Sequence, residues 1–150
     1  MTSVMGKRRK ARESTLQILF QLEFNDSQLD KTISQFLENK KADKEEKELC
    51  TRLICGIVAN QAEIDKIIQS ASQNWRISRM AIVDKNILRM AAYEMLYDKD
   101  LAPAIIINEA IEIAKKYSSD QSATFINGIL DALNKKKVKD DKALKEVKHE

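Results

Sequence analysis

The amino-acid sequence predicts an all-α protein of about seven helices, and three observations predict it. Glycine and proline number three and one in 150 residues, against average usage of about 7% and 5%. Sheets draw on those residues, with Asn and Asp, to turn between strands. The rest of the chain is rich in Leu, Ile, Ala, Lys and Glu, and its apolar residues recur at helical spacing in one segment after another. A chain of this length is about one domain, long enough to bury a hydrophobic core.

The first helix is expected from near Arg8 to about Phe24, ending at Asn25-Asp26-Ser27. Leu29, Ile33, Phe36 and Leu37 then recur at i, i+4, i+7, i+8, one buried stripe. The segment Glu38–Glu48 is dense in mixed charge and reads as a solvated loop merging into a helix start, with Asp43 and Glu46 at capping-box spacing. Leu49, Leu53, Ile54, Ile57 and Val58 form the next apolar face. Asn60 interrupts it before Ile64, Ile67 and Ile68 carry a further helix. Periodicity lapses over Ser70–Ser78, which leaves Trp75 in a connection.

A long helix follows with Val83, Ile87, Met90, Ala91 and Met95 inward. Pro103 opens the next at its first position, where a missing N–H costs nothing. That helix is expected to bury Ile107, Ala110, Ile111 and Ala114. Ser118–Ser122 offers N-cap candidates for a last core helix bearing Ile126, Ile129, Leu130 and Leu133. This divides the chain into a flexible basic start (1–7), one helical domain (8–134) and a charged, disordered tail (135–150), since beyond Asn134 apolar residues are too sparse to dock.

Several classes of chemistry find no residues here. No run approaches the roughly 20 apolar residues of a membrane span, and Met1–Ala11 lacks the apolar stretch of a secretory signal. Cys50 and Cys55, five apart on one expected helix, suit neither a local disulfide nor a CxxC site. The cytoplasm is the natural home. The only histidine, His149, sits in the polar tail, far from anything that would complete a catalytic dyad or a zinc site. Gly6, Gly56 and Gly128 are isolated, so no phosphate-binding loop is present. Gly56, and on the same argument Gly128, is expected to permit close helix approach. The carboxylate pairs Glu94/Asp98 and Glu109/Glu112 read as solvated faces or salt-bridge partners. Glu109 lies in an apolar segment and needs a basic partner, for which Arg89 or Arg79 is the candidate.

Charge is distributed unevenly. Lys7, Arg8, Arg9, Lys10 and Arg12 precede the first acid, Glu13, so the rest of a chain of net charge +3 is mildly acidic. Such a patch is what a polyanion would meet first, although a solubilising tail also fits. On a helical wheel with Arg8 at zero, Arg12 falls at about 40° and Leu19 at about 20°, on the core side, whereas Lys10 and Gln17 lie at about 200°. Arg12 must therefore overhang the core, pair with a carboxylate or meet a phosphate. Cations near a helix start oppose its dipole, and a bound phosphate would relieve them while using the free N–H groups.

These residues join a larger set. Lys10-Ala11-Arg12-Glu13 with Leu16–Phe20, then Val83–Glu94, Ile107–Lys115 and Phe125–Asp131 together resemble the NusB transcription antitermination family over about residues 8–133. The resemblance implies two small packed helical bundles, no catalytic activity, no cofactor and no metal. It also implies binding of boxA RNA together with the ribosomal protein NusE, in antitermination complexes of RNA polymerase on ribosomal RNA operons. Arg8, Arg9, Lys10 and Arg12, preceded by Lys7, match the family's arginine-rich RNA-binding start, with Phe20 at an aromatic position nearby. Gln121 to Phe125 matches another part of the RNA surface, although Gln121 and Thr124 replace residues some relatives carry. Phe125 is equally suited to core packing and to base stacking. Asp84, with Lys85 and Arg89 on the same helix, falls where the protein partner is expected, and Asp84 equally suits the role of an exposed first-turn acid that stabilises the helix dipole. Tyr93 is expected between helices.

Two other readings stand beside this one. The same helical domain occurs fused to ribosomal RNA cytosine methyltransferases, but this chain carries no Gly-rich cofactor loop. A purely structural helical adaptor is the second. The exposed face of the first helix also leaves self-association into a homodimer open.

Overall fold

The computed structural model describes residues 4–25 and 28–148, with side chains over 6–25 and 28–137. Among these residues there are seven α-helices and no strand: α1 (Val4–Phe24), α2 (Leu29–Lys40), α3 (Lys44–Ala59), α4 (Gln61–Ala71), α5 (Ile82–Tyr97), α6 (Pro103–Tyr117) and α7 (Asp120–Lys148), with a short 3-10 turn at Ile77–Arg79. No helix of the described residues is long and apolar enough to cross a membrane.

Local chemistry sets the helix ends. Asp43 accepts the Glu46 N–H at 2.8 Å and caps α3, but the Glu46 side chain turns inward to Lys40 and Ser14 instead of closing a capping box. The loop expected over Glu38–Glu48 shrinks to a few residues, because Lys41 takes a left-handed φ of 58° and its neighbour's N–H closes onto Leu37. Asn60 ends α3 and precedes α4, Pro103 opens α6, and the Ser119 hydroxyl accepts the Ser122 N–H at the start of α7.

Two boundaries differ from expectation. α1 begins at Val4, a turn before Arg8, and α7 runs beyond Asn134 to Lys148. The second consists mostly of Lys, Ala, Leu and Glu, which tolerate a helix well, and carries i, i+4 support such as Asp131–Lys135 at 3.2 Å. Met1–Ser3, Asp26 and Ser27 of the expected turn, and His149 with Glu150 lie outside the described residues.

The core forms two clusters, matching the two expected bundles. Ile18, Ile33, Leu37, Cys50 and Ile54 bind α1, α2 and α3 together. A larger cluster joins Leu16 and Leu19 of α1 to α4–α7. α1 therefore serves both bundles from adjacent faces. α5 packs against α1, α3, α4, α6 and α7, so residues all around it are buried, polar ones included. The buried face of α6 is Ile106, Ala110, Ile113 and Ala114, turned one residue from the expected Ile107 and Ile111, which are only partly covered.

Gly56 behaves as expected: a Cβ there would stand 2.1 Å from the Tyr93 hydroxyl, so Tyr93 packs flush on α3. Gly128 does not, since nothing lies within 4 Å of its Cβ position. Both cysteines are free; Cys50 is buried, and burial pushes its thiol pKa up, the state of an inert core residue.

Candidate nucleic-acid interface

The cations of α1 fan out to three other helices: α3, α5 with its C-terminal end, and α6. Lys7 pairs with Glu45 of α3 at 2.8 Å, Arg8 approaches Asp98 beyond α5 at 3.8 Å, and Arg9 clasps Glu109 of α6 through Nε at 3.0 Å and Nη2 at 2.8 Å. Lys10 has no carboxylate partner among the described residues and is exposed. The patch is thus partly neutralised by the fold. Its pairs differ in strength, because an exposed pair is worth about 0–1 kcal/mol and exchanges readily for a phosphate.

Arg12 is unlike the others. Its Nε and Nη2 donate to the two carboxylate oxygens of Glu94, each at 2.7 Å, and both side chains are almost wholly buried, at 6% and 4% exposure. Of the three roles open to it in the sequence, the structure puts it in a carboxylate pair. Burial works against its charge, and the hydrogen bonds and field of Glu94, then of Glu109, overcome that and raise its pKa. Glu109 stands 3.9 Å from Arg12 as well, so Arg9, Arg12, Glu94 and Glu109 form one network across α1, α5 and α6.

The partner of Glu109 is therefore Arg9 and not Arg89 or Arg79. The Arg9 hydrogen bonds hold the Glu109 carboxyl below its ordinary range against the opposing effect of burial. Arg9 keeps 48% of its side chain in solvent while Glu109 keeps 3%. One edge of the Arg9 guanidinium is anchored and the rest faces outward.

Asp84, Lys85 and Arg89 also turn out to hold internal posts. Asp84 is buried and accepts the hydroxyls of Ser118 and Ser122, each at 2.9 Å. It fastens the start of α5 to the α6–α7 junction, which corrects the expectation of an exposed acid. Arg89 is buried, forked onto Asp65 at 2.8 and 2.9 Å and bonded to Glu23 at 2.9 Å. Lys85 reaches the same Glu23 at 3.6 Å. Neither counter-ion stood out in the sequence: Asp65 is simply an acid beside Ile64 on α4, and Glu23 lies on the outer flank of α1.

A second exposed area lies further along α1. Phe20 and Phe24 are both exposed, their rings 5.2 Å apart, and Phe20 borders a shallow apolar hollow with Leu16, Val83 and Tyr117. Gln121 is exposed at the start of α7. Phe125 takes the core-packing one of its two anticipated roles, half-buried against the larger cluster, and it meets the exposed Trp75 ring edge-on at 5.9 Å. Twelve residues separate Arg8 from Phe20, a rise of about 18 Å along the helix. The two areas are thus distinct, and a strand touching both must run along α1.

The model of the NusB family matches residues 9–135. The chain belongs to the NusB family. The transcription antitermination protein NusB of Elusimicrobium minutum (strain Pei191) is 46% identical over 136 residues, covering 89% of this chain and 96% of that protein. Among solved structures, T. maritima NusB superposes with a TM-score of 0.80 at 40% identity, covering 90% of this chain and 93% of that one. A chain of a crystal structure of the antitermination factors NusB and NusE in complex with dsRNA is also similar, with a TM-score of 0.80 at 26% identity over 88% of this chain and 98% of that one. NusB family membership accounts for the two-bundle fold over nearly the whole chain.

Proposed function

We propose that the protein is a transcription antitermination factor that binds boxA-type single-stranded RNA together with the ribosomal protein NusE, and so supports read-through by RNA polymerase on ribosomal RNA operons. The observation that carries this reading is the similarity, over 88% of this chain, to a chain of a solved complex of the antitermination factors NusB and NusE with dsRNA. It agrees with the exposed cations at the start of α1. The reading assigns no catalytic activity and no cofactor, and its site of action is the cytoplasm, beside RNA polymerase.

In this reading Lys7, Arg8, Arg9 and Lys10 meet phosphates, since each keeps solvent access: Lys7 and Arg8 can exchange their carboxylate partners, whereas Arg9 offers the outward part of a guanidinium that stays anchored on buried Glu109. Arg12 positions α1 against α5 and does not leave Glu94. Phe20, Gln121 and Phe125 form the second contact area, where an aromatic face suits an unstacked base. Of the residues expected at the protein partner, Lys85 retains some access, and Asp84 and Arg89 shape the surface from beneath.

The test is a titration of a labelled boxA-type RNA with the protein, with and without NusE, at several salt concentrations. Tighter binding with NusE and a linear fall of log affinity with log salt are expected. Equal affinity for a scrambled strand and indifference to NusE refute the assignment and favour a structural adaptor.

A further inference from the structure

The groove beside the α1 cations has a second wall that the sequence did not point out. A cavity of about 430 Å³ opens between the start of α1, α3 and the end of α5, within the roughly 300–1,000 Å³ usual for small-molecule sites. Arg8 stands on one side, Arg52 of α3 on another, and Tyr97 with Lys99 on the third. A neighbouring hollow of about 370 Å³ shares Arg8, Leu49 and Arg52 and extends to Lys7, with Glu45 and Glu48 on its α3 side, so the cavity is continuous with the basic end of α1 while its outer rim is mixed in charge.

Three features set its chemistry. The Arg52 guanidinium is exposed and has no partner among the described residues, and Arg8 holds its carboxylate only loosely at 3.8 Å. Tyr97 is about half exposed, at 49%, yet held in place: its hydroxyl donates to Asn60 at 3.5 Å, and Tyr93 supports its ring with centroids 4.9 Å apart. Tyr93 can sit there only because Gly56 leaves room for it. With Arg12 and Glu94 cancelling one another, Arg8, Arg52 and Lys99 exceed Asp98 and Asp100 by a single cation. One excess charge matches one phosphodiester and suits a polyphosphate poorly.

We propose that this cavity is a nucleotide subsite, in which one nucleotide of a bound RNA strand leaves the stack, lays its base on Tyr97 and sets its phosphate between Arg8 and Arg52. The inference rests on the RNA-binding reading above and adds Arg52, Tyr97 and the supporting pair Tyr93 and Gly56 to it. Aromatic stacking of this kind is tolerant of base identity, so the subsite contributes affinity more than sequence choice.

The experiment uses the full chain and a boxA-type RNA carrying 2-aminopurine at one position at a time, a base whose fluorescence falls on stacking. Tyr97→Ala is expected to weaken binding roughly five- to a hundredfold, while Tyr97→Phe, which keeps the ring and loses only the 3.5 Å hydroxyl contact to Asn60, retains most of the affinity. Arg52→Ala lowers affinity and reduces the salt slope by about 0.7, one single-strand phosphate contact. At one labelled position quenching persists with Tyr97→Phe and disappears with Tyr97→Ala. RNA binding with Arg52→Ala and Tyr97→Ala both unchanged overturns the subsite and leaves the RNA reading standing. Arg52-dependent binding of adenosine monophosphate with RNA affinity unaffected overturns it in favour of a small-molecule pocket. Absence of RNA binding by the unaltered protein removes both.

Discussion

Arg12→Ala separates a structural from an RNA-contacting arginine. The substitution deletes two hydrogen bonds of 2.7 Å and leaves Glu94, 4% exposed, without its cation. Truncating one member of a buried pair costs about 3–5 kcal/mol, chiefly because the remaining charge stays buried and uncompensated. For a chain of this size each 1 kcal/mol lowers Tm by about 2–4 °C, so a fall of roughly 6–20 °C is expected. Adding Glu94→Gln removes the stranded charge and should restore a good part of the loss. The assay is urea and thermal unfolding at neutral pH, with RNA affinity measured well below the variant's Tm. There the salt slope should match the unaltered protein, because Arg12 releases no counter-ion on binding RNA. A Tm within about 2 °C of the original, together with a slope reduced by about 0.7, refutes the reasoning and makes Arg12 a phosphate ligand.

Three further outcomes follow from single sites. Gly56→Ala gains about 1 kcal/mol of helix propensity but collides with Tyr93, an overpacking that costs about 1–3 kcal/mol; urea midpoints should show a net loss that becomes a gain in a Tyr93→Ala background. Gly128→Ala meets nothing within 4 Å and should stabilise by up to about 1 kcal/mol, so a fall in its urea midpoint contradicts the open surroundings assigned to it. Glu109 titrates lower in the folded protein than its ordinary value of 4.5, so its contribution is fully present above that pH and is lost as pH falls through the lowered folded value. Glu109→Gln should therefore flatten the dependence of unfolding free energy on pH below about 4.5, and an unchanged acid limb counts against the Arg9 clasp.

What the sequence disclosed and what it withheld divide along chain separation. Pro103, Asp43, Asn60 and Ser119 act through neighbours within four residues, and each was readable from its position. The helical wheel also put Arg12 on the core side of α1, where it lies. Periodicity, however, gives the direction of a side chain and not what it meets. Arg9 and Glu109 are 100 positions apart, so nothing local favoured that pairing over Arg89, and Arg89 proved committed to Asp65 and Glu23. Asp84 looked like a surface acid because first-turn acids usually are; its burial arises from the α6–α7 junction folding over it. Tyr97 and Arg52 escaped notice for the same reason, since a cavity between three helices has no signature along any one of them.

In the proposed function the outward-facing cations at the start of α1 bind RNA phosphates while Arg12 does not. Its most direct test is the salt dependence of boxA-type RNA binding, with NusE present, for the protein in which Lys7, Arg8, Arg9 and Lys10 are all alanine. At about 0.7 per single-strand contact, the slope of log affinity against log salt should shrink by roughly 3, with affinity at low salt falling accordingly. A slope and an affinity equal to those of the unaltered protein would contradict the account.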